Sequence, residues 1–204
     1  MRQIICADAL EWLAANRGVG AVVTSLPDAD ETGQPVDEWA AWFARAAQAC
    51  FDAASAGAPV VFYQTDRKAG GRWHSKAAML FQAAAAAGAE LYWHKIILRR
   101  GVGKTDLHRP GYTHLMAFGV GGGPGKATPD VMERGRTLYP NGMGLRAARF
   151  AVGFAGERAG RVCDPFCGRG TIPAVAEALG YDAIGVDIDP AQCERARSLK
   201  LAAA

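Results

Sequence analysis

The chain has 204 residues, of which half are hydrophobic and 21% are charged, and its formal net charge is +3. This length and composition predict one folded domain with a sizeable core and exclude a largely disordered chain, a membrane-spanning protein and, because acids interrupt the N-terminus, a signal peptide. Five scattered cysteines without a Cys/His quartet indicate no metal site and favour a reduced, cytoplasmic setting.

Short apolar runs alternate along the chain with segments whose apolar residues recur at helical spacing. Strands are predicted over 2–6, 20–24, 59–63, 91–98, 112–118, 160–163 and 183–186. Helices are predicted over 9–13, 37–55, 75–87, 145–157 and 172–179, with Asp8 as the N-cap of the first. This alternation predicts an α/β fold with a largely parallel sheet covered on both faces. The strands 91–98 and 112–118 have no helix between them and are predicted to pair antiparallel.

The most informative motif is the segment 164–171, Asp-Pro-Phe-Cys-Gly-Arg-Gly-Thr. It joins a strand to a helix through two glycines, and the next strand leads to Asp187. Such a layout builds a nucleoside pocket, because glycines allow a ligand close to the backbone and a carboxylate at a strand end accepts hydrogen bonds from ribose hydroxyls. Pro173 stands where a dinucleotide fingerprint needs Gly or Ala, and Asp164 suits a cationic ligand better than a pyrophosphate.

The segment 164–171 resembles the cofactor loop of the S-adenosylmethionine-dependent amino-methyltransferases that act on DNA, with Arg169 in place of the usual Ser. Because the loop lies near the C-terminus, the chain resembles the circularly permuted subgroup of that family. The resemblance covers nearly the whole chain. It implies a single Rossmann-like class I methyltransferase domain over 1–204, a seven-stranded, mostly parallel sheet with one antiparallel strand, and S-adenosyl-L-methionine as cofactor.

The resemblance also implies which residues hold the cofactor. Asp8 falls where the subgroup has an acid that contacts adenine. The segment 139–145 stands in the place of a family segment that holds the methionine end, and the usual lysine there is Met143. Backbone contacts around Asn141 would then have to serve. The implied cofactor-binding residues are Asp8, Thr24, Asn141, Asp164, Phe166, Cys167, Gly168, Gly170, Thr171, Asp187 and Ile188.

Ser25-Leu26-Pro27-Asp28 stands in the place of the catalytic motif, which is usually Asp/Asn/Ser-Pro-Pro-aromatic. In the resembled enzymes the polar residue and a nearby carbonyl accept hydrogen bonds from an exocyclic amine, and the aromatic ring stacks on a flipped base. We predict Ser25, Pro27 and Asp28 as catalytic. The carboxylate at position 28 would orient or deprotonate a nucleobase N–H. The alternative is an ordinary strand-ending turn.

The segments 64–74, 99–111 and 119–143 are predicted to be loops, and the first two are rich in basic residues. If the permuted topology holds, both leave the sheet beside the substrate, where cations would hold phosphates; solvated loops are the alternative. The predicted substrate-binding residues are Asp66, Arg67, Lys68, Arg99, Arg100, Lys104 and Arg109. The four histidines show no ligand spacing, and His94 is predicted to be structural. Trp39 and Trp42, three positions apart on a predicted helix, are predicted to lie in the core.

These loops offer little surface for reading several base pairs in a major groove, whereas a structured RNA presents its target base already exposed. A nucleic-acid partner is therefore predicted, with structured RNA such as tRNA slightly ahead of DNA. A small-molecule methyltransferase and a non-catalytic cofactor-binding module stay open as alternatives. A homodimer is also left open.

Overall fold

A computed structural model of the protein describes residues 1–69, 71–104, 107–121, 127–140 and 142–201. The strands are β1 (Arg2–Cys6), β2 (Ala21–Thr24), β3 (Val60–Gln64), β4 (Arg67–Ala69), β5 (Arg72–His74), β6 (Glu90–Leu98), β7 (Tyr112–Gly119), β8 (Val131–Glu133), β9 (Arg161–Asp164) and β10 (Asp182–Asp187). The helices are α1 (Ala9–Ala15), α2 (Ala29–Thr32), α3 (Val36–Ala53), α4 (Lys76–Ala86), α5 (Leu145–Ala159), α6 (Thr171–Ala178) and α7 (Pro190–Ser198). Within these ranges no helix has the length and apolar character needed to cross a membrane.

The main sheet has the strand order β1-β10-β9-β2-β3-β7-β6-β8. Its first five strands run parallel, and β7 is antiparallel to both β3 and β6. The mostly parallel sheet with one antiparallel strand is thereby confirmed, as is the antiparallel pairing of β6 with β7. The expected strand number of seven is wrong for the described part of the chain, because the three-residue β8 adds an eighth strand beside β6. The circular permutation stays a prediction.

Two segments predicted as loops contain strands. Within 64–74, β4 and β5 form a separate antiparallel hairpin, and within 119–143 β8 pairs with the end of β6. Each of these strands has only three residues, which is too short to display a period of two in the sequence. Their pairing therefore depends on contacts that the local sequence does not reveal.

Helices cover both faces of the sheet. On one face, Leu13 of α1 and the buried side of α3, including Trp39 and Phe43, pack with α4 against the sheet. On the other face, alanines of α5 pack with α6. Trp39 is fully buried, which confirms its predicted place in the core.

The parallel strands bring the candidate site residues to one edge. The carboxyl ends of β1, β2, β9 and β10 lead directly into Asp8, Ser25, Pro165 and Ile188. In open parallel sheets, ligands bind in the crevice outside these carboxyl ends. The fold therefore places segments from both ends of the chain around a single crevice.

Candidate active site

A cavity of about 820 Å³ lies at this edge, a volume typical of small-molecule and cofactor sites. It brings together most of the residues predicted from the sequence. Those that line it are Asp8, Ser25, Pro27, Asp164, Phe166, Cys167, Gly168, Thr171, Asp187 and Ile188. Asn141 lies outside the described residues, while Gly142 and the buried Met143 on its C-terminal side line the cavity.

The cofactor loop is fixed by its own backbone. Gly168 and Gly170 adopt positive φ angles of 51° and 83°. A Cβ on Gly170 would also lie 2.7 Å from the Cβ of Ala196, so this position requires glycine for packing and does not itself line the cavity. The N–H of Cys167 donates to the carbonyl of Val186 at 2.9 Å, which ties the loop to β10.

Asp187 is held in one orientation at the end of β10. Its Oδ2 accepts from the N–H of Gly168 at 2.8 Å, and its Oδ1 accepts from the N–H of Asp189 at 2.9 Å. An ionised carboxylate has further lone pairs, so Asp187 retains the capacity to accept from ligand hydroxyls. Ile188 follows it with 69% of its surface exposed, as an apolar wall of the cavity.

Asp164 is the buried acid of the site. Its Oδ1 accepts from the hydroxyl of Thr24 at 2.7 Å and from the N–H of Phe166 at 3.2 Å. Burial, assisted by the neighbouring Asp187 carboxylate, raises the pKa of Asp164 to about 7, against the opposing effect of the two donors. Thr24 does not line the cavity, so its role here is to orient Asp164.

The cavity has aromatic walls that the sequence analysis did not assign. Trp42, predicted as core, lines the cavity with its ring edge-on to Phe166 at a centroid distance of 5.8 Å. The hydroxyl of Tyr139 accepts from Thr171 Oγ1 at 2.9 Å, and the Arg169 guanidinium lies 5.1 Å from the Tyr139 ring. The one sequence signal for Tyr139 is its position in the segment 139–145.

Two buried acceptors in the cavity wall lack donors. The side-chain oxygens of Gln34 and Gln192 are buried and have no hydrogen-bond partner among the described residues. Buried polar atoms are almost always paired, so a ligand with N–H groups would complete these sites. The unpaired acceptors, the two acids and the aromatic and apolar walls fit an aminoacyl-nucleoside such as S-adenosylmethionine.

The segment 25–28, which follows β2 and contains the predicted catalytic residues, forms another part of the cavity wall, called the acceptor end below. Ser25 is exposed and lines the cavity, whereas the Leu26 side chain is buried. The Leu26 carbonyl accepts from Gln64 Nε2 at 3.4 Å, and the Pro27 carbonyl accepts from the Trp39 indole N–H at 3.0 Å. Ser25 is therefore the polar residue that this segment presents to the cavity.

Asp28 points away from the cavity into a cluster of cations. It is 2% exposed, and its carboxylate oxygens lie 3.0 Å from Arg109, 3.5 Å from Lys76 and 3.6 Å from Arg67. It also caps α2 by accepting from the N–H of Ala29 at 3.0 Å. A catalytic role for Asp28 stays a prediction, and this geometry favours a structural role.

Lys76 is the buried partner in this cluster. Its side chain is 3% exposed, and burial lowers its pKa while the Asp28 carboxylate opposes that shift. Removing one partner of a buried ion pair strongly destabilises the folded protein, because the other charge is then buried without compensation. Asp28 therefore links the segment after β2 to α4 through Lys76, and to the predicted substrate-binding residues Arg67 and Arg109.

The predicted substrate-binding residues divide into two groups. Asp66 is buried and accepts from Trp73 and from the backbone of Lys76, and Arg67 forms ion pairs with Asp28 and Asp30. These two residues and Arg109 belong to the ion pairs and hydrogen bonds around Asp28 and Asp66. The remaining four lie on the hairpin and on the segment 99–111, namely Lys68, Arg99, Arg100 and Lys104.

Two of the histidines, His94 and His114, form a hydrogen-bonded chain with Asp66. His94 Nε2 lies 2.8 Å from His114 Nδ1, and His114 Nε2 lies 3.2 Å from Asp66 Oδ2. This Asp66–His114–His94 chain was missed, since its members are 48 and 20 positions apart. No group of three potential metal ligands occurs within the described ranges.

Comparison with known proteins supports this interpretation of the cavity. A family model described as DNA methylase, of the N6/N4 type, matches residues 127–198, which include the cofactor loop and Asp187. A curated relative, the tRNA (guanine(10)-N2)-dimethyltransferase of Methanothermobacter thermautotrophicus, is 43% identical over 53 residues. That alignment covers 26% of this chain and 16% of the relative, so the chain spans about a sixth of that protein.

Solved structures share the fold. A Thermus thermophilus protein assigned as a DNA modification methylase superposes with a TM-score of 0.76 at 20% identity, covering 96% of this chain and 93% of that one. The cytosine-N4-specific PvuII DNA methyltransferase gives a TM-score of 0.75 at 15% identity, with coverage of 98% and 86%. Residues 127–198 therefore match the N6/N4 type of DNA methylase, and the fold of the chain is the one that these methyltransferases share.

Proposed function

We propose that the protein transfers a methyl group from S-adenosylmethionine to a base nitrogen of a nucleic acid, with structured RNA such as tRNA as the preferred substrate. One observation carries the proposal. A single cavity is lined both by Asp164 and Asp187, at the carboxyl ends of β9 and β10, and by Ser25 and Pro27, which follow β2. A group held by the acids and an acceptor held at Ser25 would therefore share one space.

The cofactor supplies an activated methyl group on a sulfonium. The residues of this chain bind and orient it. Asp187 is placed for the ribose hydroxyls by two backbone donors, and Asp164 offers a carboxylate beside a cationic ligand. Gln34 and Gln192 add acceptors for N–H groups. No metal is required, since positioning of the two reactants supplies the main catalytic effect.

Ser25 orients the acceptor. Its hydroxyl and backbone carbonyl accept hydrogen bonds from an amine N–H, which would direct the nitrogen lone pair into the cavity. The carbonyls of Leu26 and Pro27 already receive donors from Gln64 and Trp39, which fixes the direction of the segment. The thiol of Cys167, which also lines the cavity, is not a candidate nucleophile, because burial raises its pKa far above neutrality.

The choice of RNA is supported by two observations. The curated relative with 43% identity over 53 residues is a tRNA methyltransferase, and the segments beside the acceptor are short. DNA is the second candidate, favoured by the description of the matching family and by the names of the similar structures. Recognition of a preformed RNA shape needs fewer base contacts than sequence reading in a DNA groove.

Methyl transfer from labelled S-adenosylmethionine tests the proposal directly. The protein is incubated with total RNA, genomic DNA or neither, at a low cofactor concentration at which the Asp187→Ala variant serves as a control with reduced transfer. Label in RNA alone supports the proposal, and digestion to nucleosides then identifies the methylated nitrogen. Label in DNA alone would replace RNA by DNA, and no label in either would reject a nucleic-acid substrate.

A further inference from the structure

The β4–β5 hairpin presents an exposed tryptophan. Trp73 has 50% of its surface exposed, whereas tryptophan is usually well buried. Its indole N–H donates to Asp66 Oδ2 at 2.9 Å. The N–H edge of the ring is therefore fixed by a hydrogen bond, while part of the apolar ring faces solvent.

The anchor of this ring is itself rigid. Asp66 is 3% exposed, and its Oδ1 accepts from the N–H of Lys76 at 2.8 Å. Its Oδ2 also lies within hydrogen-bond distance of His114, whose other ring nitrogen lies 2.8 Å from His94 Nε2. A side chain held in this way loses little conformational freedom when it binds a partner. Asp66 is thus a positioning residue for Trp73.

A cation lies over the ring. The Lys68 ammonium is 4.8 Å from the Trp73 ring centroid, and Lys68 is the residue that faces Trp73 across the hairpin. The N–H of Lys68 donates to the carbonyl of His108 at 3.0 Å, which joins the hairpin to the segment 99–111. Aromatic faces that stack bases, together with cations that hold phosphates, are how proteins bind unpaired nucleotides.

The hairpin contacts the segment that follows Ser25 and Pro27. Arg67 of β4 forms an ion pair with Asp30 at 2.7 Å and approaches Asp28 at 3.6 Å. Both acids follow Ser25 and Pro27 within a few positions of the chain. A nucleotide held by the hairpin would therefore be close to the segment that orients the acceptor.

We infer that Trp73 is a stacking platform for an unpaired nucleobase, with Lys68 holding an adjacent phosphate. The proposed function supplies the nucleic-acid substrate on which this inference rests. The hairpin would hold a nucleotide that neighbours the methylated one. It would thereby give the protein a preference for single-stranded or looped targets.

Binding of a short, mixed-sequence single-stranded RNA tests the inference, with an abasic oligonucleotide of the same length for comparison. Trp73→Phe and Trp73→Leu form the matched pair, since the first keeps a ring and the second does not. We expect Trp73→Leu to bind the RNA about tenfold more weakly or worse, and Trp73→Phe to lose less, because it keeps a ring for stacking but lacks the N–H that bonds to Asp66. Binding of the abasic strand should be the same for all three proteins, because only its phosphates can be recognised.

Wild-type RNA affinity in Trp73→Leu would overturn the inference, as would an equal loss on the abasic strand. Binding to anionic phospholipid vesicles that depends on Trp73, without binding to RNA, would assign the ring to a membrane surface instead. If Trp73→Leu does not fold, tryptophan fluorescence decides. RNA should quench wild-type emission more than that of Trp73→Phe, and equal quenching would contradict stacking.

Methyl transfer measured in parallel separates this inference from the proposed function. Trp73-dependent RNA binding without methyl transfer would reject the proposed function and leave the platform intact. Methyl transfer to RNA that Trp73→Leu performs at the wild-type rate and affinity would reject the platform alone. Unchanged S-adenosylmethionine affinity in Trp73→Leu verifies that the cavity is folded.

Discussion

The part of the cavity wall around Asp187, the cofactor end, and the part formed by segment 25–28, the acceptor end, are kept in place by different kinds of hydrogen bonds and ion pairs. At the cofactor end, backbone N–H groups of Gly168 and Asp189 fix the Asp187 carboxylate. At the acceptor end, side chains from other elements hold the segment after β2, through Gln64, Trp39 and the cations around Asp28.

This difference affects how each end tolerates substitution. Backbone donors remain when side chains change, so the cofactor end depends mainly on its glycines and on its two acids. The acceptor end depends on side chains that lie far apart in the sequence, and a single substitution there removes several contacts together. Cofactor binding and folding stability should therefore respond to different residues.

The largest effect is expected at Asp28. Asp28→Asn leaves the buried Lys76 and two arginines without their carboxylate, so the free energy of unfolding should fall by about 3–5 kcal/mol. Denaturant unfolding measures this loss. The control is Asp30→Asn, because Asp30 is exposed and pairs with Arg67 at the surface, where such pairs contribute about 1 kcal/mol or less.

The same variant distinguishes the structural role from the catalytic one. If Asp28 were the base predicted from the sequence, Asp28→Asn would keep its stability and lose methyl transfer by about 10²–10⁴-fold. That outcome would contradict the structural role. A loss of stability with transfer retained per folded molecule would support it.

A smaller effect, on cofactor affinity alone, is expected at Asp187. Asp187→Ala removes the charged acceptor and leaves two N–H groups unpaired, and a hydrogen bond to a charged group contributes about 1.5–3 kcal/mol. Calorimetry with S-adenosylmethionine should therefore show affinity lowered at least about tenfold. Asp182→Ala, at the opposite end of the same strand and exposed, is the matched control. Equal affinities in the two variants would remove Asp187 from the site.

The sequence predicted which residues of segment 164–171 and the following strand end would lie together, because their determinants are local. The glycine turn, Asp164 and the acid that ends β10 lie on one short stretch whose strand–turn–helix pattern is visible in the residues themselves. Gln34, Trp42 and Tyr139 were missed as cavity residues because their positions depend on how distant segments pack.

The acceptor end could not be predicted to the same depth. Asp28 was correctly placed after β2, but its partners Lys76 and Arg109 come from other parts of the chain. The pair of Asp66 with His114 similarly joins residues 48 positions apart. Charge counts along the sequence identified the basic segments, but only the fold shows that Arg67 and Arg109 face Asp28 and that Lys68 lies over Trp73.

Cofactor binding should also depend on pH through Asp164. Its pKa of about 7 means that the carboxyl is mostly protonated at pH 6 and mostly ionised at pH 8, and a cationic ligand favours the ionised form. Affinity for S-adenosylmethionine should therefore rise about tenfold from pH 6 to pH 8, with release of a proton. Asp164→Asn should flatten this rise, and a flat wild-type profile would contradict the assignment.

The free protein should show the opposite trend in stability. In the unfolded chain Asp164 titrates near about pH 4, so between that value and about pH 7 the folded state binds the extra proton. The contribution of this group to the free energy of unfolding is therefore full at low pH and declines as pH rises towards 7. Comparing wild type with Asp164→Asn in denaturant unfolding at several pH values isolates this contribution.

The smallest effect is expected at Ser25. Ser25→Ala removes one neutral acceptor from the amine, and such a hydrogen bond contributes about 0.5–1.5 kcal/mol, so methyl transfer should slow about three- to tenfold. Affinity for S-adenosylmethionine should not change, because the acids Asp164 and Asp187 hold it. Ser198→Ala, at the end of α7, is the matched control. A wild-type rate in Ser25→Ala would mean that the backbone carbonyls of Ser25 and Pro27, the two residues of this segment that line the cavity, orient the acceptor. The acceptor end would then, like the cofactor end, depend on the backbone.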